Sequence, residues 1–153
     1  MRPAPSPYGA DRTLAEHFAG RIGRFLDVGS FDGVAFSNTR TLAELGWQGI
    51  CVEPSPPAFC ALMRNYNGNE NVKLVNAAVM ASLPDNRVHK FLSNTLDAYS
   101  ADALSTFDEA HRAIFKDYPF REIYIPVITW TALTRTFGDL YDFVNVDVEG
   151  ANA

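Results

Sequence analysis

Short apolar runs separated by stretches of helical spacing constrain the fold of this chain more than any other feature. Phe25-Leu26-Asp27-Val28 is apolar except for one acid and lies between Gly23 and Gly29. A short apolar run bounded by glycine reads as a buried strand. Ile50-Cys51-Val52-Glu53 and Val72 to Val79 read as the second and third strands. Between them the spacing predicts helices. Asp11 is placed to cap a short one carrying Leu14, Phe18 and Ile22 on one face. Val34 to Leu45 is the next, stopped by Gly46. Ser55-Pro56-Pro57 then combines a serine cap with proline at the first helical position. That third helix sets Phe59, Leu62, Met63 and Tyr66 on one face and ends at Asn67-Gly68. Helix and strand alternate three times, the pattern of a parallel sheet with helices on its faces.

The middle of the chain is less regular. Val88 to Leu92 reads as a strand, one arm of a hairpin with Asp85-Asn86 in the turn. Phe107, Ala110, His111 and Ile114 have helical spacing. Glu122 to Ile128 is strand-like, Thr131 to Phe137 a short helix, and Phe143 to Val148 another buried strand followed by Glu149-Gly150.

The chain of 153 residues, 47% hydrophobic and 20% charged, suits one folded domain over residues 11–153 behind a flexible, proline-rich tail, 1–10. A net charge of −5 with Lys and Arg scattered singly argues against a nucleic-acid partner. No apolar run approaches the ~20 residues a membrane-spanning helix needs. The tail has no apolar stretch of signal-peptide length. Cys51 and Cys60 have no zinc-like spacing and read as reduced thiols, so the chain is expected to be cytoplasmic.

In open parallel sheets ligands bind beyond the carboxyl ends of the strands. Two segments stand out there. Asp27-Val28-Gly29-Ser30-Phe31-Asp32-Gly33 follows the first strand. Gly29 allows a sharp turn and a close ligand approach, with backbone N–H groups directed into the crevice. Gly33 is expected to open the next helix and permit close packing. Glu53-Pro54 follows the second strand, where a carboxylate can accept hydrogen bonds from the two hydroxyls of a ribose. Dinucleotide sites usually carry G-x-G-x-x-G, whose middle glycine makes room for a pyrophosphate. Here Ser30, Phe31 and Asp32 separate Gly29 from Gly33. Asp32 would repel a pyrophosphate, whereas Asp27 and Asp32 suit a sulfonium cofactor.

These segments resemble those of FkbM-type S-adenosylmethionine-dependent methyltransferases. Phe25 to Gly33 is similar to their D-V-G-A-x-x-G motif, and Gly49 to Ser55 to their segment ending in E-P. Asn76-Ala77-Ala78, Asn94-Thr95-Leu96-Asp97 and Ile125 to Leu133 match later segments. Asp142 to Ala151 is close to D-F-x-K-I-D-V-E-G-A, the most specific of the set. Asn145 stands where lysine is common, Trp130-Thr131 replaces Leu-Asp, and Ser30-Phe31 replaces a small residue and an asparagine.

The resemblance implies a Rossmann-like, doubly wound, mainly parallel α/β sheet that lacks the final strands of a seven-stranded fold. The chain is then a fragment, or takes those strands from elsewhere, or has lost activity. It also implies S-adenosylmethionine as cofactor and methylation of a hydroxyl on a small-molecule or glycan acceptor. Asp27, Gly29, Ser30, Gly33, Glu53, Pro54, Asn76, Ala77 and Asp147 are the implied cofactor residues. Asp147 and Glu149 are the candidate catalytic pair, able to orient the acceptor or take its proton. No histidine lies near them in sequence, and no metal is assigned. His17, His89 and His111 read as structural or solvated. The aromatic stretch Phe107 to Tyr124 serves either as a lid over the acceptor or as core, with Tyr118-Pro119-Phe120 its most loop-like part. Two other readings stand. One is a non-catalytic module whose exposed sheet edge pairs with a second copy. The other is a piece of a nicotinamide-dependent oxidoreductase, against which the missing middle glycine counts.

Overall fold

The computed structural model describes residues 9–94 and 105–148. The helices are α1 (Ala10–His17), α2 (Arg40–Glu44), α3 (Pro56–Asn65), α4 (Glu109–Ile114) and α5 (Trp130–Phe137). The strands are β1 (Arg24–Val28), β2 (Gln48–Val52), β3 (Val72–Val75), β4 (Ala78–Met80), β5 (Val88–Asn94), β6 (Phe120–Thr129) and β7 (Phe143–Val146). Four of them form one sheet in the order β3-β2-β1-β7, every pair parallel. A second sheet, β4-β6-β5, pairs β4 parallel and β5 antiparallel to β6.

Alternation along β1 and β2 builds a core on each face of the parallel sheet. Phe25 and Cys51 pack with Phe18, Leu42, Trp47, Leu62 and Tyr66 from the side of α1, α2 and α3. Leu26, Val28, Ile50 and Val52 pack on the other face with Leu133 and Phe137 of α5. The doubly wound, mainly parallel arrangement expected from the sequence is therefore present. Gly49 is a packing requirement within it, since a Cβ there would stand 2.0 Å from the Phe25 ring. Among the described residues, β7 has a neighbour in its sheet on one side alone.

Several local expectations are corrected. The helix read over Val34 to Leu45 shrinks to α2. Asp32 Oδ1 captures the N–H groups of Val34 and Ala35, and Ser37 Oγ captures those of Thr39 and Arg40. Side-chain bonds of this kind compete with the helix ladder. Phe31 and Phe36 also sit at φ 51 and 59, outside the helical range. Gly33 thus opens no helix. Its φ of +72 places its missing Cβ 2.4 Å from the Tyr66 ring and 2.5 Å from Leu62, so close packing against α3 is its function.

The run Val72 to Val79 breaks into β3 and β4, which enter different sheets. At the break, Asn76 Nδ2 donates to the carbonyls of Glu53 (2.8 Å) and Pro54 (3.3 Å). A turn does form at Asp85-Asn86, with Arg87 N–H donating to Pro84 O. It closes no hairpin, because β5 pairs with β6, which lies far along the chain. Gly9, not Asp11, occupies the N-cap of α1. Ser55 is the N-cap residue of α3, yet its hydroxyl makes no capping bond. Ile22 and Met63, each read as part of an apolar helix face, are exposed. No helix among the described residues is long and apolar enough to cross a membrane.

Candidate functional site

The carboxyl ends of β1, β2 and β7 converge on a cavity of about 300 Å³. Asp27, Gly29, Ser30, Glu53, Pro54 and Asp147 line it, six of the residues that sequence reasoning puts at a cofactor site. Gly33, Asn76 and Ala77 do not line it. Gly33 packs on α3, Asn76 holds the Glu53-Pro54 backbone, and Ala77 is buried at the β3–β4 break. Glu149 lies outside the described residues, as do Thr95-Leu96-Asp97.

Glu53 follows β2 and is 6% exposed. Its Oε2 accepts the Phe31 N–H at 2.8 Å and its Oε1 accepts the Ser55 N–H at 2.7 Å. Phe31 comes from the turn after β1 and Ser55 from the start of α3. The carboxylate is thus oriented by charge-assisted bonds from both sides. With Asn76 behind its backbone, Glu53 joins the ends of three neighbouring strands.

The turn after β1 differs from its sequence reading. Gly29 and Ser30 both donate their N–H groups to Val52 O, at 2.9 and 3.1 Å, so these amides are directed at β2 and not into the crevice. Gly29 has φ +86, and a Cβ there would lie 1.8 Å from the carbonyl oxygen of Asp147. The glycine makes room for the β7 backbone rather than for a ligand. Asp32 is fully buried, holding Val34 and Ala35 through its carboxylate and Asn65 Nδ2 through its carbonyl. It does not line the cavity, so its suggested part in sulfonium binding gives way to a structural one.

Asp27 is 2% exposed. Its Oδ2 accepts from Thr39 Oγ1 at 2.6 Å and its Oδ1 from Asn145 Nδ2 at 2.8 Å. Asn38 Nδ2 donates in turn to Asn145 Oδ1 at 3.1 Å, tying the loop after β1 to β7. Burial holds the Asp27 carboxyl above the usual carboxylate range; the two hydrogen bonds oppose this, and the negative charge of Asp147 adds to it. Such a group contributes stability that is fully present below the unfolded carboxylate pKa of ~3.9. That stability is lost as pH rises through the folded value. Asn at this position keeps the shape without the titration. The melting temperature of Asp27→Asn relative to the parent should therefore climb as pH rises above the unfolded carboxylate value of ~3.9. Thermal melts over a rising series of pH test it, and a difference independent of pH would show that the buried carboxyl does not titrate there.

Aromatic rings complete the cavity: Phe31 and Phe36 from the loop after β1, Phe91 from β5, and Phe107. Sequence reasoning names none of them individually as a site residue; Phe31 lies within the segment after the first strand, and Phe107 enters as one end of the stretch read as either lid or core. The spacing makes Phe36 a helical residue, yet its positive φ and 53% exposure put it on the cavity rim. Phe107 is the sole member of the stretch Phe107 to Tyr124 among the described lining residues. Much of the rest is built into α4 and β6, which fits structure better than a lid. Asn145 carries a signal, as the one change of chemical character inside the most specific motif, where Val146 for isoleucine is conservative.

His17 and His89 do not line the cavity. His17 stacks edge-on against Phe18, His89 Nδ1 lies 2.8 Å from Lys90 O, and His111 falls on α4. Cys51 is buried with its thiol pKa pushed up, first by burial and then by Asp27, which leaves it inert. Among the described residues no group of three or more His, Cys, Asp or Glu is gathered to hold a metal.

No protein-family model and no curated protein matches the sequence. Three solved structures show partial likeness. A hypothetical protein of Thermus thermophilus is 26% identical with a TM-score of 0.40, over 48% of this chain and 44% of that one. The glycopeptide N-methyltransferase MtfA, complexed with sinefungin, is 18% identical with a TM-score of 0.38, over 55% and 41%. YjhP from E. coli is 18% identical with a TM-score of 0.38, over 56% and 37%. The chain spans less than half the length of each of the three. At these TM-scores the likeness bears neither on the ligand nor on the chemistry of this chain.

Proposed function

We propose that the cavity binds S-adenosylmethionine and that the chain is the cofactor-binding part of a methyltransferase of the FkbM type. The observation that carries this reading is Glu53: a buried carboxylate after a parallel strand, oriented by two N–H donors and lining the cavity. A carboxylate so placed suits the paired hydroxyls of a ribose. The rest of the lining separates the nucleoside cofactors. A pyrophosphate needs cationic side chains or available amides. Among the described residues no Lys, Arg or His lines the cavity, and the Gly29 and Ser30 amides are bonded to Val52. The nicotinamide reading is disfavoured by these same residues.

When bound, S-adenosylmethionine supplies a methyl group activated on a sulfonium sulfur. The part left to this chain is alignment. Glu53 would hold the ribose, and the Phe31 ring would pack beside it. Asp147, exposed at the end of β7 and on the cavity wall, is suited to orient an acceptor hydroxyl or accept its proton. A hydroxyl of a sugar or small metabolite is the acceptor class proposed. Calorimetric titration of the purified chain with S-adenosylmethionine, with NAD as the control, tests the reading. Micromolar binding of the first alone supports it; a folded chain that binds neither refutes it.

A further inference from the structure

The charge of the cavity goes beyond what holding a ribose requires. Glu53 and Asp147 stand in its wall as carboxylates beside the buried Asp27, which burial holds toward its neutral form, with no basic side chain among the described lining residues. Asp27 is held by two neutral partners, Thr39 and Asn145, and the like charge of Asp147 acts on it. The apolar part of the wall is aromatic: Phe31, Phe36, Phe91 and Phe107. Ring faces attract cations and, somewhat less strongly, a neutral thioether, so the rings add to a preference that the carboxylates set. In a sheltered cleft lined by one sign of charge, the field is focused and acts on a ligand more strongly than in water.

We infer that this cavity sorts nucleosides by charge, holding the sulfonium form and releasing the thioether that lacks its methyl group. The inference rests on the nucleoside reading above and adds a property to it. S-adenosylmethionine and S-adenosylhomocysteine share adenosine and the amino-acid tail, and differ by one methyl and one positive charge. A wall without acids near the sulfur would bind the two about equally. This wall favours the charged one, so the spent cofactor is a weak inhibitor and leaves readily.

The test is calorimetric titration of the chain with S-adenosylmethionine, S-adenosylhomocysteine and the neutral, tail-less 5′-methylthioadenosine, at low salt and at ~0.5 M salt. S-adenosylmethionine should bind about tenfold more tightly than S-adenosylhomocysteine, or better, with the ratio shrinking at high salt. Asp147→Asn should shrink the ratio in the same way, because its exposed side chain can change without disturbing the core. Equal affinities for the charged and neutral forms overturn the inference and leave the nucleoside reading standing. A ratio that neither salt nor Asp147→Asn alters also overturns it, since methyl contact would then explain the preference. Failure of all three ligands to bind a folded chain overturns the nucleoside reading and the inference with it.

Discussion

Replacing Glu53 by alanine should remove nucleoside binding and lower the melting temperature in the same variant. Charge-assisted hydrogen bonds to a sheltered carboxylate are worth ~1.5–3 kcal/mol each. Losing the pair to a ribose therefore weakens binding roughly 10²–10⁴-fold. The fold loses as well. The Phe31 and Ser55 amides both donate to this carboxylate, and each amide left without a partner costs ~1–3 kcal/mol where it is buried. Glutamine does not rescue the site, because its NH₂ must face one of those N–H donors. Circular dichroism melts give the stability loss. Calorimetry at a temperature where the variant is still folded gives the binding loss. A folded Glu53→Ala chain that binds S-adenosylmethionine like the parent would mean the ribose is held elsewhere.

The second large effect is expected at Gly29. Alanine there meets two obstacles: a φ of +86, and a backbone oxygen of Asp147 only 1.8 Å from the new Cβ. The left-handed conformation alone costs ~1–2 kcal/mol for a residue with a side chain. The clash is with backbone, which no rotamer change relieves, so β1 and β7 must part at their carboxyl ends. A total loss of ~2–5 kcal/mol follows from adding the overpacking cost. Gly68→Ala is the control. It has φ +83 with nothing within 4 Å of its Cβ, and should lose just the conformational share. Urea unfolding of the two variants separates the terms. Equal losses would show that the Asp147 carbonyl yields without cost.

What the sequence makes legible is the alternation. Phe25 to Val28 and Ile50 to Val52 are apolar enough to be strands buried on both faces, and they are the central strands of the parallel sheet. Phe143 to Val146 reads the same way, yet it forms β7 at the edge of the described sheet, with Val144 and Val146 exposed. The acid at position 53 is legible too, because a carboxylate directly after a buried strand is costly without partners. The loop after β1 is not legible. Val34 to Leu45 has helical spacing, but Asp32 and Ser37 divert its amides, and nothing in the spacing reports that. The four phenylalanines of the wall are hidden for a similar reason. Phe91 and Phe107 come from distant parts of the chain, and Phe31 and Phe36 reach the cavity through positive φ angles. Asn76 sits at a strand end as its sequence suggests, but its partners are two carbonyls reached only through the fold.

Among the described residues β7 is an edge strand of four residues; such a strand is ordinarily free to slide against its neighbour, and β7 is not. At its entrance, Asp142 grips Arg24 twice: Asp142 N–H donates to Arg24 O at 2.8 Å, and Arg24 N–H donates to Asp142 Oδ2 at 2.9 Å. Gly23 leaves room for that grip, since a Cβ there would lie 2.5 Å from Asp142 Oδ2. At its exit, Asp147 N–H donates to Val28 O at 2.9 Å beside Gly29. Pinned at both ends, the strand has one alignment. A slip of a single residue would turn Asn145 away from Asp27 and bring an apolar valine to the buried carboxyl. Whatever docks along the outer edge of β7 must therefore meet it in that alignment, as a key meets a lock whose pins are already set.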